Sequence, residues 1–250
     1  MHVIICRDAQ EVGVVAARYV AESLRAADHP VLGLATGSSP LGLYEELARM
    51  VREDELDLSD AQGFALDEYV GLAVDHPESY HSVIRRTVVE PLAMDPERVH
   101  VPDGLAEDVA AAAAEYDARI EAAGGIDVQI LGIGANGHIG FNEPFTSFGA
   151  TTHEVPLTAR TREDNARFFD SIDEVPTHAV SQGPATIMRS RRAVLVAQGE
   201  GKADAIAAMV EGAVSHVCPA SLLQFHPDAI VVVDEAAASK LQLREHFQTP

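Results

Sequence analysis

The sequence predicts an α/β chain built on a doubly wound, mainly parallel sheet, Rossmann-like in its order, with helices on both faces. Two observations predict the class and a third locates its working edge. Short apolar runs alternate with longer segments of helical period along most of the chain, which is the pattern of successive β-α-β units. The runs are apolar on both strand faces, as strands covered by helices above and below require. One of them leads into a Gly-rich turn, Leu131 to Pro144, reading LGIGANGHIGFNEP. Its polar groups therefore sit just past the end of a buried strand, where open α/β sheets gather ligands.

Taken in order, the apolar run over 2–6 gives the opening strand and the amphipathic stretch over 9–27 the first helix. The run 31–35 is the next strand. Pro40 suits a first helical position and Ser39 a cap, so a helix is predicted over 41–51. The strand over 63–66 ends in two acids, Asp67 and Glu68. A helix over 105–122 includes the alanine-rich 110–114, and the strand over 128–133 feeds the Gly-rich turn. Strand 193–197, helix 203–210, strand 229–233 and helix 235–247 complete the alternation. The segment 143–180, rich in Thr, charge and scattered aromatics, fits the alternation least and is read as a mobile, lid-like cover over the site. With no Gly, Ser or Pro linker and no internal repeat, 1–250 reads as a single domain.

Composition narrows the functional classes. At 250 residues and 47% hydrophobic content the chain can bury a sizeable core. Its 18 basic and 39 acidic residues leave a formal charge of −21, so nucleic acid and anionic membrane surfaces are poor partners. An anionic ligand would need a local basic pocket. Cys6 and Cys218 form no CxxC pair and no leader pattern follows Met1, which predicts a reducing, cytoplasmic setting. No apolar run approaches the ~20 residues that span a bilayer.

Four motifs can carry chemistry. Ala35-Thr36-Gly37-Ser38-Ser39-Pro40 joins a strand to a helix, so the backbone N–H groups of Thr36, Gly37, Ser38 and Ser39 and the positive end of the helix can face an anion; a simple helix cap is the plainer alternative. Asp67 ends a strand, where partial desolvation can raise a carboxyl toward the working range of a general base; a lone Asp-Glu pair more often caps the next turn. The third motif is the Gly-rich turn, in which Gly132, Gly134 and Gly137 match the dinucleotide pattern letter for letter. That pattern should open an apolar helix, whereas His-Ile-Gly-Phe-Asn-Glu-Pro follows here. The turn is better suited to bring His138 close to a small substrate, with Glu143 fixing its tautomer. The histidine spacing matches no metal-ligand pattern, and no essential metal is predicted. The fourth element is basic: Arg167 in the covering segment, and Lys202 between a strand and a helix, where a point charge can meet a phosphate.

Together, ATGSSP at Ala35, LDEYVGL at Leu66, HPESYH at His76, LGIGANGHIGFNEP at Leu131, GEGKA at Gly199 and SLLQFHPDAIVVVDE at Ser221 resemble the glucosamine-6-phosphate deaminase family in order and spacing. The resemblance covers nearly the whole chain. It implies an aldose-to-ketose isomerisation coupled to loss of an amine, converting glucosamine 6-phosphate and water to fructose 6-phosphate and ammonia. It further implies Asp67 as the base that moves the C2 proton to C1, and His138 as the acid/base that opens the sugar ring, oriented by Glu143 and Asn136. Thr36 to Ser39, Arg167 and Lys202 would hold the phosphate. No cofactor is implied, and the partner is a small amino-sugar phosphate. The same residues would serve a galactosamine 6-phosphate deaminase, and a non-catalytic sugar-phosphate sensor is the alternative from another class.

Two departures from the family pattern stand out. Position 136 is an acid in part of the family and Asn here, which can hydrogen-bond but carries no charge. Ser181-Gln182-Gly183-Pro184 replaces a more usual stretch rich in glycine and valine. Some members are hexamers activated by an N-acetylated sugar phosphate through basic residues after the His-Glu motif. Here Thr152-His153-Glu154-Val155-Pro156 is poor in Arg and Lys, so weak or absent activation is predicted, and assembly into a homo-oligomer stays open.

Overall fold

Seven parallel strands form the central sheet of the computed structural model, which describes residues Met1–Pro250. In chain order the elements are β1 (His2–Cys6), α1 (Ala9–Ala26), β2 (Val31–Leu34), α2 (Leu41–Arg52), β3 (Gln62–Ala65), β4 (Asp67–Tyr69), α3 (Tyr80–Ile84) and β5 (Val99–His100). They continue with α4 (Val109–Ala122), β6 (Val128–Leu131), β7 (His153–Pro156), α5 (Ala159–Asn165), β8 (His178–Ser181), α6 (Pro184–Ile187), β9 (Arg192–Ala197), α7 (Ala203–Val210) and β10 (Ala229–Asp234).

The central sheet runs β1-β10-β9-β6-β2-β3-β5. From β2 the chain builds outward through β3 to β5, and from β6 it builds the other way through β9 to β10, which lies beside the opening strand β1. The direction of winding therefore reverses between the neighbours β2 and β6, paired at Leu32 and Val128. Such a reversal opens a crevice beyond the carboxyl ends of the two strands. The strands other than β5 are largely buried on both faces, as the two-sided apolar runs require; a core cluster of 54 residues covers most of the sheet, and Val31 and Phe64 join Tyr116, Ile120 and Ile126 in a smaller one.

Local chemistry sets the ends of the flanking helices. Asp8 caps α1 by accepting the Glu11 N–H at 2.9 Å, and Asp108 caps α4 by accepting that of Ala111 at 2.9 Å. Helices α1 and α2 meet where a Cβ on Gly13 would lie 2.6 Å from the Gly42 carbonyl carbon. No larger residue at Gly13 fits that crossing.

Three expectations need correction. The predicted helix 235–247 is a series of turns ending in one 3₁₀ turn, Arg244–His246. Two side chains and one strand compete for its backbone: the Asp234 carboxylate accepts the Ala237 N–H at 2.7 Å, Glu211 accepts those of Gln242 and Leu243, and Gln248 pairs with β1 through Ile5 and Val3. A continuous helix could not return the chain to that edge. The helix predicted from 105 starts at Val109, because Gly104 packs against the Tyr69 carbonyl so closely that a Cβ there would come within 2.1 Å of its oxygen. Ser39 does not cap α2. Pro40 occupies the cap position, and the Ser39 carbonyl accepts instead from Gln198 Nε2 at 3.0 Å.

The sequence reading also lacks a second sheet. Strand β4 pairs antiparallel with β8, Asp67 opposite Ser181, and β8 pairs with β7. Its members are short and carry polar residues, so they give no apolar run. A satellite cluster of Tyr69, Phe141, Val155, Leu157 and Ala179 lies beneath it, with Tyr80 and Phe169 packed on the outside.

Candidate active site

The crevice between β2 and β6 holds a cavity of about 180 Å³. Thr36, Gly37, Ser38 and Ser39 line it from the end of β2, Asp67 from β4, His138 from the loop after β6, and Arg167 and Lys202 from elsewhere in the chain. Of the residues singled out from sequence, only Asn136 and Glu143 lie behind this lining rather than on it.

The turn after β2 is shaped to receive an anion. Gly37 has φ +86°, the left-handed region, where a Cβ is strained although space is open around it. The N–H groups of Thr36 through Ser39 donate to no acceptor of the chain, so an arc of backbone donors faces the cavity. Lys202 adds charge from the segment between β9 and α7. Its ammonium donates to the Ile133 carbonyl at 2.7 Å, and burial lowers its pKa. Arg167 follows α5 in a 3₁₀ turn, exposed, with its guanidinium 4.7 Å above the Phe168 ring.

The acid pair after β3 divides in two. Glu68 accepts backbone N–H bonds from Tyr69, Tyr80 and His81, at 2.8, 2.9 and 2.9 Å, and so holds the start of α3. Asp67 points the other way, into the cavity. Its carboxylate is 5% exposed and accepts no hydrogen bond from the chain. Burial, with the nearby Glu68 charge, pushes its pKa up to about 8. The backbone on either side is fixed: Leu66 N–H donates to the Leu34 carbonyl, Gln182 N–H to that of Leu66, and both Tyr116 Oη and Gln182 Nε2 to that of Ala65. This carboxyl group is thus desolvated and immobile, yet open on the cavity side.

After β6 the chain makes no helix but a loop braced on itself. Gly134 N–H donates to the His138 carbonyl at 2.9 Å, and a Cβ on Gly134 would lie 2.2 Å from the His138 ring. Gly137, with φ +84°, packs on Cys218 Sγ. Gly140, with φ +55°, sits where a Cβ would be 2.9 Å from Ser181 Oγ and 3.5 Å from Asp67 Oδ2. The glycines of the turn therefore let an imidazole and a carboxylate approach the backbone closely. They do not cradle a dinucleotide.

Behind the imidazole stands Glu143, 9% exposed. Its Oε2 lies 3.7 Å from His138 Nδ1, an ion-pair distance, and accepts from Asn136 Nδ2 at 2.6 Å. Its Oε1 accepts from Thr158 Oγ1 at 3.1 Å and from Thr161 Oγ1. Burial raises the Glu143 pKa, but His138, Thr161 and Asn136 outweigh it and hold the group down at about 2. Asn136 Oδ1 also accepts the backbone N–H of His138 at 3.2 Å. It thus links the two ends of the motif, as a neutral amide can.

Sequence reasoning missed several residues of this region. Tyr80 lines the cavity, with its ring stacked over Phe141 at 5.9 Å. Thr158 and Thr161 reach Glu143 from the far side. Gln182 ties β8 to β3, and its carbonyl accepts from Asn142 Nδ2 at 2.8 Å. A hydroxyl in the segment 143–180 carries no sequence signal of its own. The cluster of Thr158 and Thr161 could have been flagged only by asking which donors a buried Glu143 would need.

A carboxyl group able to exchange a proton, an imidazole backed by a carboxylate, and a phosphate-sized arc of donors with two cations face one small cavity in a doubly wound fold. That combination defines a class of enzymes that shuttle protons on a phosphorylated small molecule. The chain belongs to the glucosamine-6-phosphate isomerase/6-phosphogluconolactonase family, whose model matches residues 7–232. It is 54% identical to a glucosamine-6-phosphate deaminase of Cutibacterium acnes, over 99% of this chain and 95% of that protein. It is likewise 54% identical to one of Streptomyces coelicolor, again over 99% and 95%. Among solved structures it matches a monomeric glucosamine-6-phosphate deaminase with a TM-score of 0.93 and 41% identity, over 96% of this chain and all of the other. A 6-phosphogluconolactonase from Trypanosoma cruzi shares the fold at TM-score 0.74 and 19% identity, over 96% and 97%.

Proposed function

We propose that the protein is a glucosamine-6-phosphate deaminase, converting glucosamine 6-phosphate and water to fructose 6-phosphate and ammonia. The observation that carries this reading is Asp67, a desolvated carboxylate with no partner in the chain, facing the same cavity as His138. A lactonase has no carbon-bound proton to move and no use for such a base. The high identity to named deaminases supports the same reading.

The geometry supports the following course of reaction. The phosphate binds across Thr36, Gly37, Ser38 and Ser39, with Lys202 and Arg167 neutralising it, and this remote attachment fixes C1 and C2 near Asp67. His138, held by Glu143 and Asn136, takes the proton from the C1 hydroxyl and delivers it to the ring oxygen, which opens the sugar to its aldehyde. Ionised Asp67 removes the C2 proton, the electron pair moves through C1 to the carbonyl oxygen, and the C2 ammonium gives one proton to that oxygen, leaving an enol with a neutral amine on C2. Asp67 returns its proton to C1, leaving an iminium at C2. Water adds there and ammonia departs, giving the ketose. The ammonium on C2 of the bound sugar favours ionised Asp67 by charge attraction, so the substrate itself offsets the desolvation that raises this pKa in the free protein. No redox step occurs, and no cofactor is called for.

The segment 143–180 acts as a cover that brings Arg167 over the phosphate. All residues invoked come from one chain, so the reading requires no second copy, and no helix is long and apolar enough to cross a membrane. Two free, buried thiols suit a reducing cytoplasm. The test is coupled detection of ammonia from glucosamine 6-phosphate and, in parallel, galactosamine 6-phosphate, with and without a chelator. Release from the first sugar, insensitive to chelation, is expected. No ammonia from either sugar would overturn the reading, and preference for the second would move it to the C4 epimer.

A further inference from the structure

The two hydroxyls that grip Glu143 come from the covering segment. Thr158 is the N-cap of α5, accepting the Thr161 N–H at 3.2 Å, and Thr161 lies in the first turn of the same helix. Further along, the same helix and the 3₁₀ turn that follows carry Asp164, Asn165 and Arg167 into the cavity wall. One short stretch therefore touches both the phosphate end of the cavity and the carboxylate behind the imidazole.

Glu143 has limited capacity, and its surroundings assign each oxygen. Oε1 is taken by Thr158 and Thr161, and Oε2 faces Asn136 and His138. The titratable group facing it is His138, from its own loop. From α5 it meets the two neutral hydroxyls, and from the head of the loop the neutral Asn136 amide. If α5 lifts, Oε1 loses both donors, and the carboxylate is free to rotate away from the imidazole or to bind water. Seating α5 leaves one orientation.

We propose that Thr161, assisted by Thr158, is a positioning residue that couples closure of the phosphate-binding arm to readiness of the His138–Glu143 pair for ring opening. The inference rests on the deaminase reading of the site for its chemistry, but the mechanical link between α5 and Glu143 can be read without turnover. In the open arm Glu143 is loosely held; a phosphate drawing in Arg167 seats α5, and the hydroxyls then fix the carboxylate. Ring opening is thereby favoured after the phosphate has arrived. A satisfied buried carboxylate is worth more than its separate bonds suggest, because each donor orients it for the next.

The test uses Thr161→Val, which keeps the shape and removes the hydroxyl, with Thr161→Ser to restore it and Thr158→Val as the weaker partner. For the valine variant kcat on glucosamine 6-phosphate is expected to fall about tenfold, equivalent to one lost hydrogen bond to a charged group, while KM changes little. The serine variant should regain kcat. Independently of turnover, Glu143→Gln should speed amide hydrogen exchange across 159–167, since the anchor of α5 is weakened. A Thr161→Val protein that changes only KM would overturn the proposal by making the hydroxyl a tether for phosphate alone. So would an unaltered exchange pattern in Glu143→Gln. Should the wild type release no ammonia, the deaminase reading falls and the exchange result alone decides the coupling.

Discussion

The carboxyl edge of the central sheet and the arm from 143 to 180 contribute different things to one cavity. From the sheet come Thr36 to Ser39, Asp67 and His138, each within seven residues of the last residue of β2, β3 or β6, on backbone pinned by buried hydrogen bonds. From the arm come Thr158, Thr161, Asn165 and Arg167, on a short helix and 3₁₀ turn that touch the body through hydroxyls and a few rings, such as Phe169 against Tyr69 and His76. On the proposed reading, groups that meet a carbon-bound proton at a fixed distance are built next to strands, and groups that greet the phosphate are built where few apolar contacts resist motion. Chemistry and capture are separated by the stiffness of what carries them.

The sharpest way to break that comparison is to remove one group from each side. Asp67→Asn should lower kcat by roughly 10³-fold, within the ~10²–10⁴ range of general base catalysis, with KM nearly unchanged. Arg167→Ala should instead raise KM by about tenfold, the loss of a charge-assisted contact, and spare most of kcat. Steady-state ammonia release separates the two, and an Arg167→Ala enzyme crippled in kcat like Asp67→Asn would abolish the distinction.

Next in size is Gly134→Ala. The added carbon would overlap the His138 ring, 2.2 Å away, so the imidazole must swing out, and a fall in kcat of about 10²-fold is expected with the far-ultraviolet circular dichroism intact. A mild effect would show that the loop after β6 is less stiff than its hydrogen bonds imply. A smaller effect tests the sheet through pH. Because the free protein holds the Asp67 carboxyl near 8 and the base must be ionised, kcat/KM should rise with pH through that region. Lys202, whose pKa is lowered by burial, sets a limit on the alkaline side. The least effect is expected from N-acetylglucosamine 6-phosphate, since 152–156 offers no basic cluster and forms β7 instead. A large leftward shift of the rate curve on adding it would contradict that.

The stiff part is the part the sequence made legible. Two-sided apolar runs can only be covered strands, so six of the seven strands of the central sheet, their winding and the turns after β2 and β6 could be read in advance; β5, two half-buried residues, gives no such run. His138, Glu143 and Asp67 were found for the same reason: they directly follow such runs. The arm showed only as a break in the alternation, and the second sheet was hidden because DEY, HEVP and HAVS are short, partly polar strands whose pairing depends on contacts distant in sequence. The C-terminal 235–247 had helical period, yet Asp234, Glu211 and the free edge of β1 claimed its backbone. Period is a local property, and those competitors are remote. Asp67 and Glu68 show the same limit at a single site. Each general reading of an acid pair, a cap or a base, is realised by one of the two, and only the tertiary direction of the chain decides which.

The burial of Asp67 also has a thermodynamic side. In an unfolded chain this carboxyl ionises near its ordinary value of 3.8, whereas in the folded protein it does so at about 8. Between those limits the folded state binds the extra proton, so each rise in pH costs native stability, fully so above the upper limit and not at all below the lower one. The native protein thus carries a destabilising strain, greatest in the ionised state that the proposed chemistry needs. Asp67→Asn should therefore be the more stable protein, by on the order of 5 kcal/mol at pH 9 and by much less at pH 5, as urea unfolding at the two pH values would show. An enzyme relieved of this carboxylate would be harder to unfold and far slower to turn over.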